Sequence, residues 1–153
     1  MADYFFDSSA LVKAYIAEAG TQWVRMILDN PQHGISISAL AEVEVVSALT
    51  RRFNEGDLTR PELDQACDEL SQDCAVYFVV DVTAQILEAA VGNARNHSLR
   101  AYDAVQLASA IAVRTALLGT QTNIPNFTLV SADHSLNDAA RLEGIQVEDP
   151  NVH

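Results

Sequence analysis

The chain has 153 residues, nearly half of them apolar, and a net charge of −12 from one lysine, eight arginines and 21 acidic residues. That composition excludes a disordered tail, and no apolar run approaches the roughly 20 residues that cross a bilayer. A protein that grips nucleic acid by its whole surface is basic, so contact of this chain with nucleic acid must be local or assisted by a basic partner. The N-terminus lacks the basic region and small-residue cleavage site of a secretory signal. One cytoplasmic domain over residues 1–153 is expected, with no membrane segment.

Residues 4–6, Tyr-Phe-Phe, end at Asp7. They read as a strand delivering a carboxylate to its C-terminal tip, where open α/β sheets hold ligands. Leu11, Val12, Tyr15 and Ile16 give a helical period over 9–18. Gly20 stops it. Thr21 can cap a second helix with Trp23, Val24, Ile27 and Leu28 on one face. Residues 33–37 are a short β-rich run, and Ser38 caps a long helix over 39–55. Thr59, Pro61 and Glu62 open the next helix with capping-box spacing. Residues 75–80 are apolar throughout, which predicts a strand covered on both faces. Asp81 reads as a cap, and 83–97 as a helix. Residues 100–118 form another helix, apolar almost all round, followed by a polar loop over 119–126. A strand at 127–130, a helix at 133–143 stopped by Gly144 and a strand at 145–147 complete the chain. Strands alternating with helices predict a parallel sheet between two helical layers, with right-handed crossovers. Cys67 and Cys74 share one helical stretch, roughly 10 Å apart along its axis. A disulfide spans about 7 Å at most, so both thiols are expected free.

Each acidic residue, taken alone, has two roles open to it. Asp7 can cap the helix at Ser8 or Ser9, or do chemistry. Glu42 and Glu44 sit in a run that is otherwise apolar apart from Ser47, and burying an unpaired carboxylate there is costly. They lie about 200° apart around a helix, so at most one faces a given site. Glu44 shares its face with Ser47 and Arg51, either as a solvated stripe or as part of a site. Asp103 opens the apolar helix, where the dipole favours it. Asp133 follows a strand, a common place for a cap. Asp138, His97 and His134 read as surface.

Four blocks, in order, carry a resemblance. They are Asp7-Ser8-Ser9-Ala10-Leu11-Val12-Lys13, residues 38–52, residues 99–110 and residues 129–144. Together they resemble the PIN-domain proteins, specifically the VapC-type toxin ribonucleases. On that alignment the matching acids are Asp7, Glu44 rather than Glu42, Asp103 and Asp133. The resemblance implies a three-layer α/β/α domain with a central parallel sheet. It implies a metal-dependent endoribonuclease, the toxin of a type II toxin–antitoxin pair. It also implies a homodimer, inhibited by a small, basic, DNA-binding antitoxin. Four converging carboxylates would repel one another, and a hard dication, Mg²⁺ or Mn²⁺, resolves this with oxygen ligands. Asp7 and Asp103 are the expected direct ligands; Glu44 and Asp133 would orient waters or hold a second ion. Ser9 and Ser131 can hydrogen-bond the acids or phosphate, or else cap helices, the reading preferred for Ser131. Lys13, Arg51, Arg52 and Arg100 are the candidate phosphate contacts, which carry affinity but little sequence information. An aspartyl-phosphate enzyme is disfavoured. A haloacid-dehalogenase-like chain would place a second Asp where Ser9 stands, and a receiver domain would place a lysine late in the chain, whereas the only one is Lys13. The remaining alternative is a PIN-like domain kept as a catalytically silent binding module.

Overall fold

The computed structural model describes residues 1–120 and 126–153. The elements are β1 (Asp3–Phe6), α1 (Ser8–Leu11), a 3-10 turn (Val12–Ala14), α2 (Thr21–Leu28), β2 (Gly34–Ser38), α3 (Ala41–Asn54), α4 (Arg60–Cys74) and β3 (Phe78–Val80). Then come α5 (Ala84–His97), α6 (Ala101–Thr120), β4 (Phe127–Val130), α7 (His134–Leu142), β5 (Gln146–Glu148) and a closing 3-10 turn (Pro150–Val152). All strand pairs are parallel, in the order β3-β2-β1-β4-β5. Side chains alternate across the sheet. Phe6, Ile37 and Val130 pack with α1 to α4, while Phe5, Phe127 and Leu129 pack with α5 to α7. This is the expected three-layer α/β/α arrangement. Phe5 and Phe6 are fully buried on opposite faces, each contributing about 1.5–3 kcal/mol of transfer free energy.

The sheet order positions the site. From β1 the chain builds outward through β2 and β3, then returns to β4 on the other side of β1. β1 and β4 therefore flank the point where the winding reverses, and ligands of such sheets bind beyond the strand ends there. Phe6 is paired in register with Val130, and Asp7 N donates to Val130 O at 3.0 Å. Asp7 and Ser131 thus leave the sheet side by side.

Several local expectations change. The first helix is shorter than 9–18: α1 tightens into the 3-10 turn and ends by Tyr15. Gly20, at φ 86°, is the N-cap of α2, and Thr21 Oγ1 instead accepts from Glu18 N. Leu40, not Ser38, caps α3, although Ser38 Oγ accepts from Leu40 N. Thr83, not Asp81, caps α5 by accepting from Ile86 N. β3 covers only three residues and is a sheet edge, and Phe78 and Val79 are exposed, while Val80 packs on the core cluster under α5 to α7. The capping box at Thr59 and Glu62 is present as expected, and both cysteines are free. α6 continues to Thr120, so Gly119 is helical; the rest of the expected loop falls on residues 121–125, outside the described residues. Among the described residues, no helix is long and apolar enough to cross a membrane.

The C-terminal turn is docked through a glycine. A Cβ on Gly20 would stand 2.2 Å from Pro150 O, and its φ is already left-handed. Beside it, the single tryptophan, Trp23, stacks on His153 at 4.1 Å between ring centroids. Gly20→Ala is therefore expected to lower stability by about 1–3 kcal/mol and to change Trp23 emission as the stack opens. Chemical denaturation followed by tryptophan fluorescence checks both, and an unchanged midpoint with unchanged emission refutes the docking role.

Candidate active site

Asp7 is 2% exposed, yet it is well supplied with donors. Its Oδ2 accepts from Ser9 Oγ at 2.5 Å, from Ser131 Oγ at 3.0 Å and from Ser9 N at 3.4 Å. Each hydroxyl is itself oriented by a backbone amide: Ala132 N donates to Ser9 Oγ and Asp133 N to Ser131 Oγ, both at 3.0 Å. The β4–α7 junction thus turns two hydroxyl protons toward one carboxylate oxygen. Oδ1 accepts no hydrogen bond among the described residues. Burial raises the Asp7 pKa, the bonds from Ser9 and Ser131 oppose that rise, and the Glu44 charge adds to it.

Glu44 enters from the first turn of α3. Its Oε2 accepts from Ser8 Oγ at 2.7 Å and its Oε1 from Gln106 Nε2 at 3.0 Å. Glu42 is exposed on another face of α3, so Glu44 is the acid that reaches this end of the sheet. Asp103, in the first turn of α6, accepts no hydrogen bond and forms no ion pair among the described residues. Its pKa is pushed up to about 6, first by burial and then by the charges of Asp133, Asp7 and Glu44, with Arg100 opposing. Asp133 caps α7 by accepting from Leu136 N at 2.8 Å. Asp7 and Asp133 therefore both cap helices while lying close enough to Asp103 for their charges to act on it.

The four acids are near enough to perturb one another, but they do not form a ready-made cage. Among the described residues, no three His, Cys, Asp or Glu side chains are placed to hold one metal ion together. None of the four is neutralised by a lysine or arginine in an ion pair among the described residues. Oxygen-only donors, mutual repulsion and a raised Asp103 are the chemistry that suits a hard dication.

The basic residues separate into two groups. Lys13 is buried and its ammonium is paired with Glu18 at 3.2 Å; Arg52 is paired with Asp57 at 2.7 Å and with Glu18 at 3.5 Å. Both of these candidate phosphate contacts are engaged in ion pairs within the fold. Arg51 donates to Ser47 Oγ and lines a groove of about 420 Å³ with Ser8, Ser9, Glu44, Leu40 and Tyr102. Arg100 is exposed beside Asp103. His97 is a further correction: its side chain is only 11% exposed and bonds Glu143 at 2.7 Å, whereas His134 is exposed as expected. Sequence reading missed Ser8, Gln106 and Asn137, which donates from Nδ2 to Ser131 O at 2.9 Å. The available signal was two amides at positions that a purely apolar core would have filled with leucine.

The PIN domain family model matches residues 4–142. The chain belongs to the PIN-domain family. This PIN domain is 34% identical, over 94% of its length and 92% of theirs, to ribonuclease VapC45 and to ribonuclease VapC49, each of Mycobacterium tuberculosis. Among solved structures it is similar to PAE2754 of Pyrobaculum aerophilum, at 20% identity and TM-score 0.62 over 99% of this chain and 91% of that one. It is also similar to FitAB bound to a DNA fragment, at 14% identity and TM-score 0.63 over 96% and 94%. These structural likenesses concern the fold.

The clustering of acids fixes a pH dependence. Asp103 ionises near 6 in the fold, against an ordinary 3.8, so the folded state holds this proton more tightly than the unfolded chain. Its stabilising contribution is complete below about pH 4 and is lost as the pH rises through about 6. Metal-free protein should lose melting temperature across that window. Asp103→Asn should remove this part of the loss and melt higher than the parent at neutral pH. Thermal scans against pH decide the matter; a variant that tracks the parent throughout argues against the cluster.

Proposed function

We propose that this PIN domain is an endoribonuclease that hydrolyses RNA phosphodiester bonds with Mg²⁺ or Mn²⁺, and that it is the toxin of a type II toxin–antitoxin module. The observation that carries the reading is the set of Asp7, buried, and Glu44, Asp103 and Asp133, partly buried, gathered at the sheet's switch point with no lysine or arginine ion pair among the described residues, in a chain 34% identical to named ribonucleases. The absence of a closed protein cage is compatible with this reading, since Mg²⁺ binds through one or two carboxylates and completes its octahedron with water and substrate phosphate. Asp7, through Oδ1, and Asp103, both without a hydrogen-bond or ion-pair partner there among the described residues, are the residues to hold the ion. When bound, the dication supplies Lewis-acid stabilisation of phosphate charge and a more acidic water. Glu44, held at both oxygens, accepts a hydrogen bond from the attacking water and orients it. Asp133 adds negative charge beside Asp103 and fixes the start of α7. Arg51 and Arg100 are the groups free to contact RNA phosphates, and Ser9 keeps Asp7 aligned.

The partners follow the same reading. A surface of net charge −12 suits a small basic antitoxin. Solved relatives include VapBC2 of Rickettsia felis bound to promoter DNA and a toxin–antitoxin complex of Klebsiella pneumoniae. Apolar Val76, Phe78, Leu87 and Val91 are exposed on β3, α5 and the turn before β3, and a second copy of the chain would cover such residues in a homodimer. Action on RNA beside an antitoxin places the protein in the cytoplasm.

Millimolar Mn²⁺ or Mg²⁺ should raise the melting temperature and permit cleavage of single-stranded RNA. Asp7→Asn should abolish the thermal shift and lower cleavage by about a hundredfold or more. Protein that neither shifts with metal nor cuts RNA would speak for the silent binding module.

A further inference from the structure

Gln106 lies in α6, one helical turn beyond Asp103, and is wholly buried. Its Nε2 donates to Glu44 Oε1 at 3.0 Å, bridging α6 to α3. Its own Oε1 is buried and accepts no hydrogen bond among the described residues. A buried acceptor without a donor is unfavourable, and a core built for stability alone would carry an apolar side chain here. Reversing the amide would set its oxygen against a carboxylate oxygen, so the Glu44 charge fixes which way it faces. Ser8 Oγ, from α1, holds the other oxygen of the same carboxylate at 2.7 Å. Donors on two separate elements therefore stop the carboxylate from rotating. Positions that break the rules of core packing gather where function requires it.

We propose that Gln106 is a positioning residue: it locks the Glu44 carboxylate and ties the helix carrying Asp103 to the helix carrying Glu44. The proposal rests on the nuclease reading above. Gln106 touches neither metal nor RNA in this role; it acts through Glu44. Gln106→Met preserves length and volume while removing both the donor to Glu44 and the unpartnered oxygen, so it separates positioning from packing.

The test uses the full chain, a single-stranded RNA oligonucleotide and Mn²⁺. Without metal, Gln106→Met should melt at or above the parent. With metal, kcat should fall about ten- to a hundredfold, the usual effect of losing a residue that orients a ligand, with KM within about twofold. The Mn²⁺ concentration giving half of the thermal shift should rise several-fold. In a Glu44→Ala background, Gln106→Met should cost nothing more, since coupled residues fail to add. A parent-like kcat and Mn²⁺ midpoint in Gln106→Met overturns the proposal alone. A lower metal-free melting temperature, or an undiminished loss in the Glu44→Ala background, also overturns it, by marking a packing role. A parent that neither cuts RNA nor responds to Mn²⁺ overturns the nuclease reading and this proposal with it.

Discussion

Parallel pairing of β1 with β4 sets Phe6 beside Val130, so the residues that follow emerge together from the sheet. Asp7 comes from one strand, and Ser131, Ala132 and Asp133 come from the other. The two junctions are laced by hydroxyls that donate to Asp7 and accept from backbone amides. Everything else at the site is placed against this pair. α3 brings Glu44 after β2, the neighbour of β1 on the other side. α6 brings Asp103 and, one turn later, Gln106, which reaches back to Glu44. A one-residue slip between β1 and β4 would exchange the faces of Phe5 and Phe6, so the cores on both sides of the sheet hold the acids in place.

The arrangement runs against stability in several respects. Asp7 is buried, Asp103 is half-buried among like charges, and Gln106 and Asn137 each bury a carbonyl oxygen with no partner among the described residues. Each would be removed by a substitution chosen for stability, and each lies at or next to the same four acids. Buried polar atoms without a partner among the described residues also occur away from the acids, at His33, Asn93 and Arg114, so it is the burial of Asp7 and the crowding of Asp103 by like charges that set this end of the sheet apart.

Charge works at two scales. The chain as a whole repels nucleic acid, and its one lysine is occupied by Glu18 within the frame. Arg51 in the groove and Arg100 beside Asp103 are left as local positive groups at the mouth of an acidic site. Under the proposed function, RNA would be held by a few local contacts rather than by a long-range field. The same negative surface would suit the basic protein partner of that proposal.

Sequence alone determined the layer order, the parallel sheet and the strand that ends at Asp7, because these follow from periodicity and from alternation of strands with helices. Helix geometry allowed at most one of Glu42 and Glu44 to face a given site, and the resemblance to PIN-domain proteins pointed to Glu44. Sequence failed at β3, where an apolar run meant a sheet edge and not a buried strand: composition does not report what lies on the far side of a strand. It did not reveal the ion pairs of Lys13 and Arg52 either, because a cation's partner is chosen by tertiary proximity. Only the tertiary structure decided that Ser8 and Gln106 meet at one carboxylate. Those residues are distant along the chain, and local pattern carries no information about which side chains the sheet's winding brings within hydrogen-bonding distance.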